Sequence, residues 1–150
     1  MAHYRPMDRL KTHDVTNQVP SLEDDNLWLG DAVLREAVMR EGGAWASEHL
    51  SAAGARLGSA EVREWGRQAN RNEPELEAFD RYGHRIDEVS FHPAYHSMMG
   101  LAMEVGVHSI AWTAPQGGHV VHTALEYMLA QVEAGVCCPM TMTYASVPVL

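Results

Sequence analysis

The chain has 150 residues, a hydrophobic content of 46% and a net charge of −9, which suit one globular domain with a core of ordinary size. The acidic balance disfavours direct nucleic-acid binding by this segment, because such binding requires basic groups that displace counterions from phosphates. Acidic surfaces also disfavour anionic membranes. No apolar run approaches the roughly 18 residues that would cross a bilayer, so we expect no membrane partner.

The two cysteines, Cys137 and Cys138, are adjacent. Neighbouring cysteines cannot build the disulfide framework of a secreted domain, so we expect two reduced thiols. Together with the lack of a signal peptide, this favours a cytoplasmic location.

Three regions follow one another along the chain. Residues 1–11 carry no pattern and are predicted to be a disordered start. Residues 12–30 are polar around Pro20 and predict an extended arm. Residues 31–150 show apolar residues at helical spacing and predict one helical domain.

Helix boundaries can be read from capping residues and glycines. Asp31 and Ser59 are good N-caps, and Pro74 and Pro93 suit the first turn of a helix. Further helices are predicted at 44–57, between Gly118 and Gly135, and after Cys138, with Gly135 as a left-handed C-terminal cap. Residues 80–91 predict a loop with at most one short strand, anchored by apolar side chains at Ile86, Val89 and Phe91. The fold class is therefore all-α, an antiparallel helical bundle with short turns.

The segment from Met140 to Leu150 is apolar nearly all round, which predicts burial on most sides. A domain seldom stops inside its own core. We therefore expect the domain to be truncated at its C-terminal end, with the natural protein continuing beyond Leu150.

Several side chains invite a catalytic or metal interpretation. His92 and His96 are four residues apart, and His119 and His122 are three apart, but neither pair has the internal acid of a zinc-hydrolase helix. Caps and core hydrogen bonds are the favoured explanation of these histidines, with His92 placed as a cap before Pro93. Glu126 and Glu133 share a predicted helix face, which is more typical of a solvated surface than of an acid–base pair. From these residues we expect no metal site and no catalytic residue.

Four segments resemble one branch of the acyl-CoA dehydrogenase family, the AidB-type flavoproteins linked to the bacterial response to DNA alkylation. They are residues 85–96 (RIDEVSFHPAYH), residues 131–145 with QVEAG and CPMTMTYA, residues 12–20 with Asn17-Gln18, and residues 31–42 with Arg40-Glu41-Gly42. Several motifs in the same order, from Thr12 to Leu150, make the resemblance specific.

The resemblance implies the first, helical domain of a longer FAD-dependent protein. In that family a β-domain with a flavin-binding segment and a C-terminal helical domain follow, and no motif of either is present here. We therefore expect no FAD on residues 1–150 alone, no activity of this segment by itself, and contacts with its own downstream domains or with subunits of a homo-oligomer. Dehydrogenase activity would require the downstream domains.

The resemblance also implies one candidate site. The helix after the glycine break would lie near the substrate cavity, where the polar side chains Thr141, Thr143 and Tyr144 could form part of its wall. The alternative is that these hydroxyls bond back onto their own helix. A different functional class is also open, a stand-alone helical interaction module without enzymatic activity, which an exposed apolar face on the last segment would support.

Overall fold

A computed structural model describes residues 12–114 and 116–150. The expected disordered start, residues 1–11, lies outside the described residues. The elements are α1 (Ala32–Arg40), α2 (Ser47–Leu57), α3 (Ala60–Arg71), β1 (Glu75–Phe79), β2 (Arg85–Ser90), α4 (Pro93–Glu104), α5 (Ile110–Thr113), α6 (Gly118–Ala130) and α7 (Cys137–Ser146), with 3-10 turns at Ala44–Ala46 and Val147–Val149. The fold is mostly helical, as the sequence predicts, and it also contains one two-stranded sheet that the all-α prediction did not include.

Helix α6 is the centre of the core. It contacts α1, α2, α5 and α7, and its buried residues include Val121, Leu125 and Met128. Side chains from the surrounding helices, among them Leu50 and Met98, complete one continuous apolar cluster. Burial of each such side chain contributes about 1.5–3 kcal/mol relative to exposure, so this cluster is the main source of stability.

The predicted helix starts agree with the structure at three positions. Asp31 accepts a hydrogen bond from the Leu34 amide, and Ser59 accepts one from the Val62 amide. His92 caps α4 through the Ala94 amide. These side chains satisfy amides that the first turn of a helix leaves free.

The helix predicted at Pro74 is wrong. Residues 75–79 instead form β1, which pairs antiparallel with β2, with Leu76 opposite Val89. Gly83 provides the turn at φ +85°. Residues 75–78, Glu-Leu-Glu-Ala, alternate polar and apolar side chains, which suits a strand. Leu76 and Phe79 are exposed rather than inward.

The last third of the chain also differs from prediction. Helix α6 ends at Ala130, and its C-cap Gln131 is right-handed, so Gly135 is not a left-handed cap. Glu133 instead closes the loop by accepting hydrogen bonds from the amides of Gly135 and Val136. Helix α7 is not buried on most sides: only Met140 is buried, while Met142 is 67% exposed. Met142 and the residues Val147, Val149 and Leu150 that follow the helix are therefore exposed in this chain.

In the described part of the chain, no helix is both long and apolar enough to cross a bilayer.

Two glycine pairs meet where α6 begins. Gly117 has a φ of +90°, and a Cβ atom there would lie 2.3 Å from the carbonyl oxygen of Gly42. The Trp45 indole also donates to the carbonyl of Gln116 at 3.1 Å. The start of α6 is thereby held against the turn that follows α1.

The substitution Gly117→Ala should lower the free energy of unfolding by at least about 1 kcal/mol, because it adds left-handed strain and a backbone clash. Urea unfolding followed by circular dichroism measures this. The matched control is Gly100→Ala, where a Cβ meets nothing within 4 Å in the interior of α4. The control should gain about 0.5–1 kcal/mol. Equal effects of the two changes would contradict this account of Gly117.

Candidate functional site

Three rings stack between α5, α6 and α7, and we call them the aromatic ladder: His122, Tyr144 and Trp112. The His122 and Tyr144 rings are 4.0 Å apart at 16°, and the Tyr144 and Trp112 rings are 5.4 Å apart at 29°. His122 is 3% exposed and Trp112 is 38% exposed. The ladder therefore runs from the core to the surface.

Hydrogen bonds fix the outer part of the ladder. The Tyr144 hydroxyl lies 2.9 Å from Nδ1 of His119, and the Trp112 indole donates to the carbonyl of Tyr144 at 3.0 Å. His119 also meets the Trp112 ring edge-on at 4.8 Å. Tyr144 thus attaches α7 to both α5 and α6.

His122 forms the inner end of the ladder. Its Nδ1 donates to the carbonyl of Val107 at 2.7 Å, because a carbonyl oxygen can only accept. Its Nε2 lies 3.4 Å from a carboxylate oxygen of Glu126.

The three predicted cavity-wall residues have different partners. Thr141 donates to the carboxylate of Glu126, and Tyr144 contacts His119, so both reach across to α6. Thr143 bonds back to the carbonyl of Pro139 within its own helix at 3.0 Å. The back-bonding alternative therefore holds for Thr143 alone, and a role of any of the three in a cavity wall stays a prediction.

The candidate site did not include four members of this cluster: Trp112, His119, His122 and Glu126. Trp112 lies in a short apolar segment, and His119 was weighed only as half of a metal pair. The contact of Trp112 with Tyr144 depends on how α5 packs against α7, across 32 residues of sequence, and the contact of His119 with Tyr144 depends on how α6 packs against α7, across 25 residues. The sequence holds no periodic signal for such a contact.

The carboxylates and histidines are dispersed rather than clustered around a metal. Glu133 lies beyond the end of α6 and serves the following loop, so it does not share a helix face with Glu126. His96 packs edge-on against the rings of Phe91 and Tyr95. Within residues 12–114 and 116–150, no three His, Cys, Asp or Glu side chains are grouped closely enough to hold a metal ion.

A separate cleft of about 320 Å³ lies where the β-strands join the helices. Its lining includes Asn70, Asn72, His92 and Tyr95, with Phe91 stacked on Tyr95 at 4.4 Å. His92 and Asn72 are partly engaged in capping α4 and in bonding to Gln68. This cleft contains none of the candidate cavity-wall residues.

The mostly helical fold with one hairpin is similar to that of the N-terminal region of acyl-CoA dehydrogenases. A solved structure with this fold, Caenorhabditis elegans ACDH-11 in complex with C11-CoA, superimposes with a TM-score of 0.71 at 23% identity, over 97% of this chain and 26% of that one. At this identity the likeness shows the fold alone.

Sequence comparison defines the family. The family described as the adaptive response protein AidB N-terminal domain matches residues 17–150, and the chain belongs to it. The putative acyl-CoA dehydrogenase AidB of Escherichia coli (strain K12) is 47% identical over 142 residues, which cover 93% of this chain and 26% of that protein. Acyl-CoA dehydrogenase family member 11 of C. elegans is 35% identical over 104 residues, 67% of this chain and 17% of that protein. The chain spans about a quarter or less of the length of these relatives.

Removing the Tyr144 hydroxyl and removing its ring should have separable effects on stability. Tyr144→Phe loses the His119 hydrogen bond and should cost about 1 kcal/mol of unfolding free energy. Tyr144→Ala also loses both stacked contacts and should cost about a further 1 kcal/mol or more. Chemical denaturation of both variants measures the difference. Equal losses would show that the stacking does not hold α7 in place.

The two cysteines should differ in reactivity towards alkylating agents. Burial, followed by the charges of Glu126 and Glu133, raises the pKa of the Cys137 thiol to about 11, so at pH 8 it holds little of the reactive thiolate. Cys138 is exposed. Iodoacetamide at pH 8 should therefore modify Cys138 first, as read by peptide mass mapping. Labelling of Cys137 should rise as the pH approaches 11, and preferential labelling of Cys137 at pH 8 would contradict this prediction.

Proposed function

We propose that this chain serves as the N-terminal helical domain of an AidB-type flavoprotein, and that its α5–α7 face bounds the flavin or acyl cavity. The observation that carries the proposal is the aromatic ladder, which ends at a half-exposed Trp112 beside Tyr144 and Thr141. Cavities for cofactors and acyl chains combine apolar or aromatic walls with a few fixed polar groups. In this proposal the complete protein acts on an acyl thioester or protects against DNA alkylation damage.

The side chains of this face suit the ring system of a bound FAD better than its diphosphate. Flat aromatic surface at Trp112 and Tyr144 suits a ring system or an acyl chain. A diphosphate would need cationic groups or glycine-rich amides, whereas the charged group of this cluster is the carboxylate of Glu126. This chain would therefore bound the ring or acyl part of the cavity. A bound flavin supplies hydride acceptance.

The residues of the chain would act by positioning. Glu126 accepts a hydrogen bond from the Thr141 hydroxyl on one oxygen and faces His122 with the other, which holds the second turn of α7 against α6. Tyr144 is held one turn further along by His119. A ligand lying on this face would thus meet side chains with fixed orientations, which limits the entropy lost on binding.

The test compares the 150-residue chain with a fusion of it to the region that follows the match in the E. coli relative. We expect the chain alone to purify without flavin and the fusion to carry it. In the fusion, Trp112→Phe and Tyr144→Phe should shift the visible flavin spectrum or the preferred acyl-chain length. Met103→Ala, an exposed change on α4, is the control and should leave both unchanged.

Two results would count against the cavity-wall role. One is an unchanged spectrum and chain-length preference in both ladder variants. The other is an equal shift in the Met103→Ala control, which would indicate a general loss of stability.

The second candidate, an interaction module without enzymatic activity, is favoured by the exposed apolar side chains Met142, Val147 and Val149 near the end of the chain. It predicts that the fusion binds no flavin while the 150-residue chain retains a defined protein partner. Flavin incorporation in the fusion favours the first proposal.

A further inference from the structure

The cleft where the hairpin of residues 75–90 joins α3 and α4 contains polar groups that no neighbouring residue engages. Its volume of about 320 Å³ lies within the range of small-molecule sites. Three of its lining groups are the Asn70 amide, the Glu73 carboxylate and the Tyr95 hydroxyl. Within residues 12–114 and 116–150 none of the three makes a hydrogen bond or an ion pair. These groups are therefore available to a bound molecule.

Two stacked rings form the apolar wall of the cleft. Phe91 and Tyr95 both line it, and their centroids are 4.4 Å apart at 18°. His96 meets both rings edge-on, at 6.0 Å and 5.6 Å, which holds the pair in place. The face of an aromatic ring is electron-rich and attracts cations. This wall therefore suits a flat, positively charged group.

The formal charges of the cleft also favour a cation. Its described lining includes the carboxylates of Glu73 and Glu133 and no lysine or arginine. Glu133 accepts hydrogen bonds from the amides of Gly135 and Val136 at 2.8 Å and 2.7 Å, which fixes its orientation. Both carboxylates would repel a phosphate or carboxylate ligand and attract a positively charged one.

His92 adds one hydrogen-bond donor to the cleft. Its Nδ1 accepts a hydrogen bond from the Ala94 amide at 3.2 Å, so the neutral ring carries its proton on Nε2. This Nε2–H has no acceptor among the residues that the structure describes. The amide nitrogen of Asn72 donates to the carbonyl of Gln68, which leaves the side-chain oxygen of Asn72 as an acceptor. The cleft thus offers several acceptors and one donor.

We propose that this cleft binds a guanidinium group, with the cation between the Tyr95 ring and the Glu73 carboxylate. A guanidinium is planar, stacks on aromatic faces and directs five N–H donors at carboxylate and amide oxygens. Its source is a free alkylguanidine or an arginine side chain of a peptide. In the second case a neighbouring peptide carbonyl would accept the Nε2–H of His92. This inference does not depend on a flavin role.

Titration of the isotope-labelled 150-residue chain with Nα-acetyl-argininamide, followed by NMR, tests the site. We expect saturable shifts of the amides of residues 69–74, 91–95 and 133–135, with a Kd of about 1 mM or tighter. The matched ligand is Nα-acetyl-citrullinamide, which replaces the guanidinium by an uncharged urea of the same shape. It should bind on the order of tenfold more weakly, because the charge-assisted hydrogen bonds are lost.

A third ligand, n-butylguanidine, separates the two sources. It carries the same cation without a peptide carbonyl. Affinity equal to that of Nα-acetyl-argininamide would support a free alkylguanidine, whereas weaker binding would support an arginine side chain whose peptide group contacts His92.

Two variants test the assigned contacts. Glu73→Gln should weaken binding of Nα-acetyl-argininamide on the order of tenfold, because the charged acceptor becomes neutral. Tyr95→Leu should weaken it about threefold or more, because the aromatic face is lost. Glu88→Gln is the control, since it removes an exposed carboxylate of β2 that does not line the cleft. It should leave the affinity unchanged. Circular dichroism verifies that each variant is folded.

Four outcomes would overturn the proposal. They are the lack of saturable binding, equal affinity for the citrulline and arginine ligands, equal effects of Glu73→Gln and Glu88→Gln, and shifts dispersed over the surface. Dispersed shifts would indicate general attraction to the net charge of −9. A chain without this site whose fusion still carries flavin would leave the proposed function standing and remove only the guanidinium site.

Discussion

The burial of α6 is the constraint on which the rest of the structure depends. Its residues Val121, Leu125, Met128 and Leu129 are fully buried, and they receive side chains from helices on several sides. A helix that is apolar over so wide an arc must be surrounded. The arrangement of α1, α2, α5 and α7 around it follows from that need, and the close contact between Gly117 and Gly42 lets the chain enter this position.

The same helix connects the core to the candidate site. Val121 and Leu125 face the core, while His119, His122 and Glu126 lie on the arc that α5 and α7 cover. The inner end of the ladder, His122, is consequently held on a helix whose core-facing residues are fully buried. Side chains fixed on buried helices keep their geometry better than side chains on loops, which is what a cavity wall requires.

Much of this architecture could be predicted from local sequence signals. Asp31, Ser59 and His92 mark helix starts because capping is a contact between neighbours in sequence. The central helix was predictable from its apolar spacing. The aromatic ladder was only half predictable: Tyr144 and Thr141 stood out as polar groups in an apolar segment, but their partners Trp112, His119 and Glu126 come from other helices. Long-range contacts leave no period in a single sequence.

The errors at the hairpin and at α7 share one physical cause. The spacing of apolar side chains in a sequence predicts that they are buried. It does not say whether they are buried in the core of the same domain or against another surface. Leu76, Val89 and Met142 read as inward-facing residues, yet all three are exposed on this chain. Burial against a second molecule or against another region of a longer polypeptide produces the same composition. Since the relatives are several times longer than the matched region, exposed apolar residues at these two places are better explained as contact surfaces than as defects of the fold.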